Sequence, residues 1–496
     1  MEGPSLLRPI LQDAIEFQKI SNGVNLHRLW LDNVTTMDFG FSPVSNGSIG
    51  LNNRTVTFTA GQYRFNVSFN YTQLIQLNQS AILNNQSQGN ATSNSTSQNV
   101  EDLSFLTYSN KMLAGTWRFL TYFGRDTMIA MLLMKDRLSN KALESGIGAV
   151  LERENGTGVI CHEETIGDYA TLLNLLDNVT STAPSYSYIM IDSDLYLQPL
   201  LVEYFLNTPG ASNRTTSFLR YVHFASQLII STIASVNPAN EGVSYAELAF
   251  RNAFHVMSIA APFAAEGNQT QDNLIHLREG QIVGQWRDST YGIGGATIPY
   301  DVNTALVPAS LRAIAKLTDA GFYPSYSNWS ALANQYAQVW EDETLQFFEV
   351  TVPQAEAQKR VDSYVKASNF SGPAGNVTED IVFYGLGLDG YDNQSTVLVM
   401  NSDDCIFPGF LDLIIRFPSF PFDEYYESNS INDLYEPNRQ SSQCSISGRS
   451  NDGCEHVGCK PRIRHYSKLC CQLDYRSLPR HRRLGMAIGT YPSNRY

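Results

Sequence analysis

Nowhere does the chain hold the run of about 18 apolar residues that a membrane-spanning helix requires, so neither a span nor a membrane partner is expected. Basic residues are in deficit: 34 Lys and Arg face 48 Asp and Glu, a net charge of −14. Nucleic acid selects for basic faces, and this balance argues against it as a partner. The opening residues, MEGPSLLRPILQDAIEF, have no basic start, no adequate apolar core and no cleavage site, so no signal peptide is read there.

Cysteine is scarce before residue 440, where only Cys161 and Cys405 occur. The other five fall in the last 53 residues, in CEHVGC, CC and a lone Cys444. None of these has the paired C-x₂-C spacing of a zinc site. That tail also holds 11 of the 34 basic residues (439–496) against three acids, with no clear periodicity. It reads as out-of-frame or intron-derived sequence rather than as a zinc or disulfide module.

What is abundant is asparagine in one context. Seventeen Asn-X-Ser/Thr sequons run from Asn33 to Asn393. With 38 asparagines and Ser plus Thr near one residue in six, chance predicts only about six. The excess predicts passage through a eukaryotic secretory pathway, N-linked glycans and an extracellular location. A truncated or mis-started N-terminus reconciles this with the missing leader. Hydrophobic residues make up 43% of the 496, enough for a sizeable core, and the length suggests one large domain with a smaller one.

Residues 24–77 alternate apolar and polar side chains, as in RTVTFTAGQYRFNVSFNYTQL, and predict strands of an antiparallel sandwich with a turn at Gly61. Residues 78–100 are a polar Asn/Ser/Gln-rich linker or loop. Helices follow. TMIAMLLM (127–134) is apolar on every side and predicts a helix buried all round. Further helical stretches are 193–206, 217–236, 243–261, 303–320 and 328–348. Long helices in series with irregular loops suggest a mainly α toroid of helical hairpins, and no fixed repeat supports a solenoid. The expected domains are 1–100 (sandwich and linker), 101–420 (helical) and 421–496 (tail).

Three stretches could carry chemistry. In FLTYFGRDTMIAM (119–131), Asp126 or Thr127 stands where an N-cap belongs. Tyr122, Phe123 and Arg125 equally offer a flat apolar face beside a charged fork, which suits a sugar. In GVICHEETIGDY (158–169), His162 and Glu163 lack the second histidine of H-E-x-x-H, and acids near a helix start are favoured by the helix dipole. In QIVGQWRDSTYGIGGATIPYDVN (281–303), Trp286, Arg287 and Asp288 precede a loop whose glycines preclude regular structure. A carboxyl beside an indole is expected to be desolvated and held protonated, as a general acid must be. Asp301 reads as the N-cap of the next helix. The acids Asp389, Asp392, Asp403 and Asp404 lack the D-x-D-x-D-G order of a calcium loop, and the motifs require neither metal nor organic cofactor.

GTWRFLTYFGRDTMIAMLLM, GVICHEETIGDY and GQWRDS…GGATIPYDVNTALVPASLRAIA, in this order, resemble the C-terminal glucosidase module of glycogen debranching enzymes and related six-hairpin glycosidases, nearest to fungal secreted forms. The resemblance spans roughly residues 100–405. It implies an (α/α)₆ toroid behind a β-sandwich and inverting hydrolysis of α-glucosidic bonds in oligo- or polysaccharides. By analogy Asp288 is the general acid, and Arg125 and Asp126 hold the nonreducing sugar. His162 and Glu163 lie on a substrate-binding loop and Trp286 is a platform. Tyr122, Arg287 and Asp301 complete the expected substrate-binding set. The family's general base, a glutamate near the C-terminus, has no convincing counterpart; Glu424 and Glu427 are the nearest. A catalytically inactive carbohydrate-binding or truncated protein is the alternative.

Overall fold

In the N-terminal part the alternating segments pair. Strands β1 (Glu16–Ile20), β2 (Gly23–Leu29), β3 (Thr36–Ser45) and β6 (Gln62–Phe69) form one antiparallel sheet in the order β1-β2-β3-β6. Strands β4 (Ile49–Asn52) and β5 (Thr55–Phe58) make a separate hairpin, joined to the sheet through an edge contact of Phe58 with Phe41. The computed structural model describes residues 8–84, 100–101, 103–113, 121–219, 237, 240–368, 375–399 and 403. Most of the expected linker, most of the expected helix 217–236, Asp404, Glu424, Glu427 and the whole tail 421–496 lie outside the described residues.

Among the described residues eight longer helices follow: α1 (Gly124–Met134), α2 (Asn140–Glu152), α3 (Gly167–Leu176), α4 (Ser193–Val202), α5 (Tyr245–Ala264), α6 (Val307–Asp319), α7 (Trp329–Glu343) and α8 (Gln354–Ser368). Their starts follow local chemistry. Ser139 caps α2 by accepting from the Ala142 amide at 3.1 Å. Ser244 caps α5 by accepting from the Glu247 amide at 3.2 Å, the S-x-x-E arrangement of a capping box. Helix α4 carries Pro199 inside it and passes into a π turn over Glu203–Asn207. A second π turn, Val302–Leu306, leads into α6.

The helices bury one continuous core. Trp340 of α7 is fully enclosed, packs on Phe263 of α5 at 4.6 Å between ring centres, and donates its indole N–H to the Ala260 carbonyl at 3.1 Å. Gln198 of α4 ties α5 to the loop after α6: its amide donates to Asn252 at 2.9 Å and its oxygen accepts from Tyr323 at 2.6 Å. The N-terminal sheet meets α3 through Asp168, which accepts from the Leu31 amide at 2.6 Å and pairs with Arg28.

A mainly α toroid behind a β-sandwich does not describe this fold. The structure is mixed, 44% helical and 20% strand, with several antiparallel sheets. Short strands interleave with the helices: β7 (Thr121–Phe123), β8 (Glu163–Thr165) and β9 (Tyr186–Ser187) form one sheet. Strands β10 (Ile298–Pro299), β13 (Gly387–Gly390) and β14 (Gln394–Thr396) form another, and β11 (Glu349–Val352) pairs with β12 (Ile381–Tyr384). Strands of two to four residues are too brief to show alternation, so they look like loops in the sequence. Helix α1 also departs from expectation: Leu133 is 73% exposed, so this apolar stretch is not buried on every face.

Candidate functional site

Strand β7 delivers Arg125 into the first turn of α1. The turn needs glycine at 124, because a Cβ there would lie 2.2 Å from the Cys161 carbonyl oxygen, and the Gly124 amide donates to the His162 carbonyl at 2.8 Å. Helix α1 begins at Gly124, so Asp126 lies within its first turn and is not the cap. Arg125 is nearly enclosed and faces three carboxylates. Its Nη2 donates to Asp288 Oδ2 at 3.1 Å, its Nη1 to Asp192 Oδ2 at 3.4 Å, and its Nε lies 3.4 Å from Asp126 Oδ2. Burial alone would weaken its charge, but Asp192, Asp126 and Asp288 outweigh it and hold the guanidinium above its ordinary range.

Asp192, just before α4, is fully enclosed. Burial pushes its carboxyl up to about 6; Asp126 adds to the shift and Arg125 only partly opposes it. One guanidinium shared among three acids does not neutralise the most buried of them. Asp194, two residues on, points elsewhere: it accepts from the Ile160 amide at 2.8 Å and pairs with Arg278 at 2.8 Å and His255 at 3.0 Å.

Asp288 lies in the irregular loop after β9 and α5, with its side chain 47% exposed. The neighbouring indole does not enclose it, and its near partner is Arg125. Trp286 does not present an open platform on both faces, since the Arg287 guanidinium lies 4.3 Å from its ring centre. Arg287 in turn pairs with the enclosed Asp403 through contacts of 2.8 and 3.1 Å. The indole N–H of Trp286 is buried and has no hydrogen-bond partner. The loop ends in Gly294 and Gly295 with φ of 62° and 75°, and a side chain at 295 would strike the Tyr391 ring.

Asp301 is not a helix cap. It precedes the π turn at the start of α6, makes no capping bond, and is fully enclosed with neither carboxyl oxygen hydrogen-bonded. The nearby amides of Asp301 and Val302 miss hydrogen-bond geometry. Burial, reinforced by Asp403 and Asp192, pushes its carboxyl well above the usual range. In this conformation it cannot touch a ligand.

His162 and Tyr122, expected at a ligand, are enclosed as well. His162 is buried against Phe123 at 5.5 Å between ring centres, with Nδ1 unpartnered. Burial and Arg125 push it down to about 3, which keeps the imidazole neutral. Tyr122 is wholly enclosed and lies beneath the site, with the Arg153 guanidinium 5.0 Å and the Lys111 ammonium 5.7 Å from its ring centre. It supports the site and offers no face to a sugar. Glu163 and Glu164 belong to β8 rather than to a helix start, so the helix dipole does not explain them. Glu163 is half-buried, whereas Glu164 is enclosed and binds Arg153 at 2.5 Å and Lys111 at 3.4 Å.

The structure thus brings Arg125, Asp126 and Asp288 together, and adds Asp192 beside Arg125 and Asp403 as the partner of the expected Arg287; neither of these two acids was in the expected set. Asp192 sits in MIDSDLYL, and two acids within an apolar run were the available signal. Among the described residues no group of three or more His, Cys, Asp or Glu is placed to hold a metal ion, and no helix is long and apolar enough to cross a membrane. A cleft of about 800 Å³, lined by residues that include His27, Trp30 and Leu175, shares no residue with the Arg125 cluster. Comparison with protein-family models, with curated proteins and with solved structures finds no match.

Proposed function

We propose that the Arg125 cluster is a carbohydrate site and that the chain is a glycoside hydrolase acting on α-glucosidic, debranching-type bonds, with Asp288 as the proton donor. The supporting observation is the clamp itself: one enclosed guanidinium holds two half-exposed carboxylates, Asp126 (44% exposed) and Asp288 (47%). A sugar's paired hydroxyls match such a fork of donors and acceptors. A hydrolase with inversion needs two carboxyls roughly 6.5–9.5 Å apart. Asp126, the other half-exposed acid held by Arg125, is our candidate for the second carboxyl. Asp192 is enclosed and shares Arg125 with the pair. The test is release of glucose from an α-1,6-linked oligosaccharide by the full chain. Asp288→Asn should lower the rate by about 10²–10⁴-fold; an unchanged rate overturns the role.

A second reading has its own support. Asp126 and Asp288 are both engaged by Arg125, and Asp403 is paired with Arg287. Acids so committed suit binding without turnover. Calorimetric heat with the same oligosaccharide, in a sample that releases no glucose, favours this reading.

A further inference from the structure

We propose that the exposed sequon asparagines of this chain carry N-linked glycans. Thirteen of the 17 sequon asparagines are among the described residues. Twelve of them are exposed: Asn33, Asn46, Asn53, Asn66, Asn70 and Asn78 in the N-terminal part, and Asn178, Asn213, Asn268, Asn328, Asn376 and Asn393 beyond it. Asn155 is the exception and is half-buried. The described asparagines outside sequons behave in the opposite way. Of these 14, only Asn22, Asn52 and Asn207 are exposed. Mere richness in asparagine would not sort the residue type by what stands two positions later.

The attachment atom sorts in the same way. None of the 13 sequon asparagines donates its Nδ2 to any acceptor. Where their side chains are engaged, the oxygen does the work: Asn70 accepts from the Thr36 amide at 2.8 Å and Asn155 from the Val159 amide at 3.0 Å. Outside sequons, at least nine of the 14 donate through Nδ2. Asn252 holds the Gly158 and Asp194 carbonyls at 3.0 Å each, and Asn303 holds those of Ile275 and Pro299 at 3.0 and 2.8 Å. Glycosylating a nitrogen of the second kind would break a buried contact; glycosylating one of the first kind breaks none. The five asparagines with left-handed backbone, Asn33, Asn46, Asn53, Asn178 and Asn393, are all sequon residues. Asparagine tolerates that conformation in turns, which lie at the surface.

The chemistry is a transfer from a lipid diphosphate-linked oligosaccharide. The bond from the anomeric carbon to the diphosphate oxygen breaks, a bond to Asn Nδ2 forms, the amide gives up one proton, and the lipid diphosphate leaves.

The experiment uses the full protein purified from its own source. Treatment with peptide N-glycosidase in ¹⁸O-water should lower the intact mass and convert occupied asparagines to ¹⁸O-labelled aspartates. Label is expected in peptides holding Asn33, Asn178, Asn268 and Asn328, and not at Asn22, Asn52 or Asn207. An unchanged mass overturns the proposal. So does label spread equally over asparagines outside sequons, which would report deamidation alone. Neither result bears on Asp288 and glucose release, so the two proposals fail separately.

Discussion

Arg125 Nη2 lies 3.1 Å from Asp288 Oδ2, although 163 residues separate the two in the chain. The guanidinium also serves Asp192 and Asp126 from its other nitrogens, so one side chain holds together the start of α1, the start of α4 and the glycine-rich loop. A lysine has one compact charge and cannot span three carboxylates from separate nitrogens. Arg125→Lys should lower stability by about 2–3 kcal/mol, the scale of one charged hydrogen bond. It should also abolish oligosaccharide heat in calorimetry. Retained binding would separate Arg125 from ligand recognition.

The enclosed Asp192 makes stability depend on pH. Its folded-state carboxyl is raised from 3.8 to about 6, chiefly by burial. It therefore binds its proton more tightly folded than unfolded. Its contribution is fully present below the unfolded value and is lost as pH rises through about 6. The full effect is about 3 kcal/mol. In urea unfolding, the stability of Asp192→Asn relative to the parent should rise by that amount between about pH 4 and pH 7. An unchanged difference across that window would overturn the assignment.

Among the described residues Glu164 is the acid that ion-pairs with two enclosed cations, Arg153 and Lys111. Burial alone would raise its carboxyl, but Arg153 and Lys111 overcome this and hold it below the usual range. Burial and Arg153 push Lys111 down to about 8. Glu164→Gln leaves buried positive charge uncompensated and should cost about 3–5 kcal/mol. Adding Lys111→Met to that variant should recover part of the loss. If the double variant is no more stable than the single one, charge is not the cause.

Gly124 fixes how closely β7 and the start of α1 approach Cys161. A methyl group at this position meets backbone rather than a flexible side chain. Gly124→Ala should cost about 1–3 kcal/mol by overpacking. Because the same turn aims Arg125, it should also weaken oligosaccharide binding, whereas Gly156→Ala, whose Cβ would meet nothing within 4 Å, should leave both unchanged. Denaturant midpoints and calorimetry on both variants check this.

Elements with a long local period were legible. Helices α4, α5, α6 and α7 lie where apolar periodicity put them, and the alternation over residues 24–77 did mark strands. Elements held by distant partners were not. β7, β8 and β9 are short strands that exist because each supplies the others' hydrogen bonds, with Tyr122 opposite Glu164 and Glu163 opposite Ser187. Glu163 and Glu164 consequently looked like a helix start. Tyr122 looked like a sugar face, because an aromatic beside an arginine reads the same whether it is exposed or enclosed. Asp126 and Asp301 looked like caps, because only the turn geometry shows that α1 begins ahead of Asp126 and that Asp301, though placed just before the π turn, makes no capping bond.

By itself the sequence determined the acidic balance, the helical and strand-forming stretches and the positions of the sequons, all of which are properties of neighbouring residues. Only the tertiary structure decided which acids share Arg125, which are enclosed, and which asparagine nitrogens are left without an acceptor. Burial and pairing depend on atoms far apart in the chain, as with Arg125 and Asp288, 163 residues distant, and only the fold encloses a carboxyl such as Asp301 while leaving Asp288 half-exposed beside a guanidinium.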